Sequence, residues 1–64
     1  TGEIAQLLSS RELQVGRLGG ELSNTEIAER LSISRRTVEN HIANGLKKTG
    51  LANRKELARL LQSL

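Results

Sequence analysis

Ser23-Asn24-Thr25-Glu26-Ile27-Ala28-Glu29-Arg30-Leu31-Ser32-Ile33-Ser34-Arg35-Arg36-Thr37-Val38 reads as one helix, a tight joint and the start of a second helix. Ser23 and Glu26 have capping-box spacing, in which a hydroxyl and a carboxylate three residues on each accept the other's backbone N–H. Ser32-Ile33-Ser34 leaves room only for a turn, and no helix breaker follows Ser34 until Gly45. Two helices joined by so short a turn fit a helix-turn-helix. Ala28 is small enough to let the second helix come close, and Ile27, Leu31 and Ile33 supply the apolar side of the joint.

Outward from this stretch the punctuation repeats. Ser9-Ser10-Arg11-Glu12 has the same capping-box spacing, and Asn53-Arg54-Lys55-Glu56 repeats it with Asn as the cap. The pattern predicts an all-α fold with helices at about 10–18, 24–31, 35–48 and 54–63. At 64 residues the chain makes one domain at most. It has no Phe, Tyr, Trp or Met, so Leu, Ile, Val and Ala must build the core. Without cysteine there is neither a disulfide framework nor a thiolate site, and one histidine cannot hold a metal alone. No cofactor is expected. No apolar run approaches the ~20 residues of a membrane span, so a cytoplasmic protein that does not enter a membrane is expected. The chain starts at Thr1 without an initiator methionine, which suggests a piece of a longer protein.

Net charge is +3, which alone points only weakly to nucleic acid. The distribution says more. Three arginines against five glutamates leave residues 1–34 at −2, whereas seven lysines and arginines against two glutamates leave residues 35–64 at +5. At about 100° per residue, Arg36, Glu39, Asn40, Ala43 and Lys47 of the third helix fall within about 100° of arc. Val38, Ile42, Gly45, Leu46 and Thr49 fall on the opposite side. An ordinary amphipathic helix has the same division. What distinguishes this one is an outer face with Asn40 beside a small Ala43 and basic residues at both ends, a composition that lets a helix lie close to base edges in a groove.

The segment Glu21–His41 resembles the LuxR/NarL/GerE-type helix-turn-helix. Leu8-Ser9-Ser10-Arg11-Glu12 is similar to that family's opening, and Leu51-Ala52-Asn53-Arg54-Lys55-Glu56-Leu57 to its fourth helix, so the likeness covers about residues 8–61. It implies a bacterial transcription regulator that binds double-stranded DNA. The third helix would lie in the major groove and the fourth would commonly mediate a homodimer, often behind a receiver or ligand-binding domain. RNA polymerase is a further partner to consider. Carried over by position, base contacts fall on Arg36, Glu39, Asn40 and Ala43. Phosphate contacts fall on Asn24, Thr25, Arg35, Thr37, Lys47 and Lys48. The fourth helix offers Leu57, Leu60, Leu61 and Leu64 as a dimer seam, with core packing the stronger reading for Leu57 and Leu61.

Several positions depart from the family pattern. Gly16 and Gly19 stand near places usually filled by Leu, Gly45 replaces Ile or a similar residue, and Thr49 replaces Leu. Mid-helix glycines cost about 1 kcal/mol each relative to Ala, and missing methylenes add to that. Low stability is therefore expected, unless Gly19 or Gly20 ends the first helix as a left-handed cap. Glu39 stands where relatives often carry Lys; it either accepts from cytosine N4 or turns aside as a helix former. His41 is read as structural. Two other functions stay open: a sigma-factor-like promoter reader, and a helix-turn-helix that binds protein instead of DNA, which Glu39 and Ala43 favour. An enzyme is not expected, since no nucleophile–base constellation or phosphate-cradling loop is present.

Overall fold

The capping signals act where the sequence places them. In a computed structural model describing residues 6–63, four helices of eight or more residues follow in order: α1 Ser10–Leu18, α2 Asn24–Leu31, α3 Arg35–Thr49 and α4 Arg54–Gln62. No strand occurs among the described residues. At the starts of α1 and α2 the full reciprocal box forms, with Ser9 and Glu12 in one and Ser23 and Glu26 in the other. The start of α4 is only half of one. Asn53 Oδ1 accepts from the Glu56 N–H, but the Glu56 carboxylate accepts from Ala52 instead of Asn53.

The ends of the last two helices differ by a residue from expectation. Gly50, at φ 74°, adopts the left-handed conformation that stops α3 after Thr49, and its N–H bonds to Leu46 O. Ser63 caps α4 at Gln62. The end of α1 corrects the sequence reading: Gly19 is right-handed at φ −64°, and among the described residues Gly50 is the one glycine with positive φ. Neither Gly19 nor Gly20 is a left-handed cap.

The joint between α2 and α3 is held by backbone. Ser32 takes φ 57°, Ile33 N–H reaches back to Ala28 O at 3.0 Å, and Ser32 N–H to Glu29 O at 3.4 Å. This is the Schellman pattern, with Ser where glycine is usual. Ile33 then packs onto the core cluster that contains Ala28.

α3 is the hub, packed against α1, α2 and α4. One cluster joins Val15, Ile27, Ala28, Val38 and Ile42; a second joins Leu8, Leu57 and Leu61; Leu46 packs against both. The glycines that looked like missing methylenes lie between helices. A Cβ on Gly16 would come within 2.5 Å of Leu61 Cδ1, and one on Gly45 within 3.0 Å of Leu57 Cδ2. Leu57 and Leu61 thus fill the space that larger residues at 16 and 45 would occupy. Thr49, the other departure, turns its hydroxyl back to Gly45 O at 2.8 Å.

Candidate nucleic-acid interface

α3 buries Val38, Ile42 and Gly45 and so turns its other side outward. Arg36, Glu39, Asn40, Ala43 and Lys47 are all exposed, as the projection required. Among the described residues, none of these side chains is hydrogen-bonded or ion-paired to the rest of the protein. Polar atoms left free on a surface are available to base edges and phosphates.

The start of α3 has an unusual charge. α1, α2 and α4 each carry a glutamate in the first turn, where the helix dipole favours an anion, but α3 carries none and begins with Arg35 and Arg36. Two cations at a helix N-terminus work against the dipole by about 0.3–1 kcal/mol each. Both arginines are exposed. An external anion there would meet the guanidinium groups and the free N–H groups together. Thr37, half-buried, shares a proton with Ser34 Oγ at 2.8 Å; if Ser34 is the donor, the Thr37 hydroxyl hydrogen is free for an acceptor outside.

At the start of α2, Ser23 Oγ accepts from the Glu26 N–H, leaving Asn24 and the exposed Thr25 at the helix tip. The Ser23 N–H bond to the Glu26 carboxylate, with the Ser23 hydroxyl beside it, holds that carboxyl below its ordinary pKa. Asn24 is half-buried, and its Oδ1 accepts from Arg54 at 2.6 Å. Only its amide nitrogen is left to face outward.

Three further residues singled out from sequence are otherwise engaged. Lys48 turns toward α1, where its Nζ lies 2.8 Å from Glu12 Oε1. Burial alone would raise the Glu12 pKa, but the Lys48 hydrogen bond, the Ser9 N–H and the nearby positive charges outweigh it and bring it below the ordinary value. Lys48 therefore stands apart from the face carrying Lys47. On α4, Leu57 and Leu61 are 1% and 0% exposed. They close the core and leave no surface for a seam, which corrects their inclusion in a dimer helix. Leu60 is half-buried, and Leu64 lies outside the described residues.

The sequence reading overlooked Arg54. Its guanidinium donates to Gly19 O at 2.8 Å, Leu22 O at 3.0 Å and Asn24 Oδ1 at 2.6 Å. One signal was available: a cation at the first position of a helix opposes the dipole and so calls for a partner outside the helix. His41 is half-buried. Among the described residues no cluster of three potential ligands could hold a metal, and no helix is long and apolar enough to cross a membrane.

A family model described as bacterial regulatory proteins of the luxR family matches residues 6–61. The transcriptional regulatory protein LnrK of Bacillus subtilis (strain 168) is 42% identical over 52 residues, which are 80% of this chain and 24% of that protein. The chain thus spans about a quarter of the length of the curated relative it matches. No solved structure matches it.

Proposed function

The chain belongs to the luxR family of bacterial regulatory proteins, DNA-binding domains of transcription regulators, and from that premise we propose that it reads a specific duplex sequence with α3 in the major groove. The observation that carries this is the outer face of α3, free of partners among the described residues and opened by two arginines set against the helix dipole. Asn40 can donate and accept in a bidentate pair with adenine, and Arg36 can pair with guanine. Ala43 suits a thymine methyl, and Glu39 accepts from cytosine N4. Arg35, Thr37, Lys47 and the start of α2 at Asn24 and Thr25 hold the phosphates. Lys48, paired with Glu12, contributes charge at a distance.

The regulator acts as a homodimer on an inverted repeat with half-sites about one helical turn apart. The seam uses the outer side of α4, where Leu60 keeps exposed apolar area. The domain forms part of a longer cytoplasmic regulator, and RNA polymerase is its partner where it activates. Family membership leaves the sigma-factor-like alternative without support.

Selection of duplexes from a random pool, followed by titration of the selected and a random duplex over a range of salt, tests this. Affinity for both should fall steeply with salt as counterions are released, at about −0.9 in the log–log slope per phosphate neutralised. A slope near zero, with no sequence enriched, would favour a protein-binding helix-turn-helix, the reading to which Glu39 and Ala43 lend themselves.

A further inference from the structure

We propose that Arg54, on α4, is a positioning residue for the phosphate grip at the start of α2, an inference that rests on the DNA-binding reading above. Arg54 is half-buried and makes three bonds at once. Nε and Nη2 donate to Gly19 O and Leu22 O, carbonyls at the two sides of the connection between α1 and α2, while Nη1 donates to Asn24 Oδ1. A guanidinium has donors only. The Asn24 atom facing it must therefore be the oxygen, which settles the orientation of the amide and leaves Nδ2 with both hydrogens turned elsewhere. Among the described residues nothing accepts from that nitrogen. Arg54 thus does two things for the tip of α2: it fixes the preceding loop through backbone carbonyls, and it presents Asn24 as a donor toward an anionic oxygen.

The role depends on shape as well as charge. The fork of the guanidinium meets three acceptors in different directions, whereas a lysine ammonium at the end of a flexible stem cannot replace all three. The unfavourable placement of a cation at the first position of α4 has its compensation here, in acceptors from another part of the chain.

Fluorescence anisotropy with the selected and a random duplex, well below each variant's melting midpoint, tests the proposal on wild type, Asn24→Ala, Arg54→Lys and the double variant. Each single change should weaken binding to both duplexes about three- to tenfold, the range for one hydrogen bond, and leave their ratio unchanged. The double variant should lose no more than the weaker single variant, the mark of two residues acting as a unit. If Arg54→Lys melts earlier but binds as tightly as wild type, or if the two losses multiply, the positioning role is wrong. Should Arg54→Lys not fold, the wild type alone still decides: the Asn24 side-chain amide resonance must shift when random duplex is added, and an unmoved resonance overturns the proposal. A wild type with no salt-dependent duplex binding overturns the DNA-binding reading itself, and Arg54's role with it.

Discussion

Single residues divide into those that face outward from α3, where the proposed DNA contacts lie, and those that hold α3 in the fold. Asn40 belongs to the first kind: exposed and without a partner among the described residues, its replacement should leave folding intact. Asn40→Ala is expected to cost about 1–3 kcal/mol of specific binding and to relax preference at one base pair; unchanged binding to selected and random duplexes would show that the face is misassigned. Glu12 belongs to the second kind, bonded to Ser9 N–H and to Lys48. Its pKa and that of Glu26 are lowered in the fold from an ordinary 4.5. The unfolded chain therefore binds more protons between the lowered and the ordinary values, and stability rises with pH there. The contribution is complete above about 4.5 and is lost as the pH falls through the folded values. Glu12→Gln should lower stability by about 1 kcal/mol at pH 7, at the low end for a charge-assisted bond because Lys48 is 41% exposed. Its urea midpoint should also change less than wild type's between pH 6 and about 3.

At the scale of elements, the joints decide how α3 is held. Ser32 occupies a left-handed position at φ 57°, which costs an L-residue about 1–2 kcal/mol. Ser32→Gly removes that strain but frees the unfolded chain by about 0.5–1 kcal/mol. The net expectation is a gain of about 0.5–1 kcal/mol in denaturant unfolding; a loss would mean that the Ser32 side chain does something its hydrogen bonds do not reveal. Where the α1–α2 connection meets α4, the constraint is steric. A Cβ on Gly20 would stand 2.8 Å from Ala58 Cβ, an atom that no side-chain rotation can move away. Gly20→Ala should therefore destabilise by about 1–3 kcal/mol. Gly45→Ala should be close to neutral, because the gain in helix propensity offsets a tight 3.0 Å approach to the movable end of Leu57. A circular-dichroism melt of the two variants would distinguish them at once.

For the whole molecule, 64 residues with an aliphatic core and two glycines inside helices leave little surplus stability. The close packing of Leu57 and Leu61 against Gly16 and Gly45 removes the cavity part of the expected deficit; the cost in helix propensity remains. A melting midpoint below about 75 °C is expected, and a higher one would show that the packing more than compensates.

The helices, their caps, the helix-turn-helix joint and the outward face of α3 were legible along the chain. Each depends on residues three or four apart, where local hydrogen bonds and the helix period act directly. Gly50, whose missing Cβ permits a left-handed stop for α3, is of the same local kind. What could not be read were relations between helices: the diversion of Lys48 to Glu12, the closing of the core by Leu57 and Leu61, and the fit of glycines 16, 20 and 45 against α4. The three-way grip of Arg54 belongs with these, although its place against the dipole hinted at a partner. Residues 12 or more positions apart meet only once the helices have packed, because their crossing geometry is set by side-chain volumes acting jointly. Sequence alone determined which helix has a polar, basic outer face and which residues it turns outward; the tertiary packing decided which cations lack a protein partner among the described residues and which, like Lys48 and Arg54, are engaged between helices.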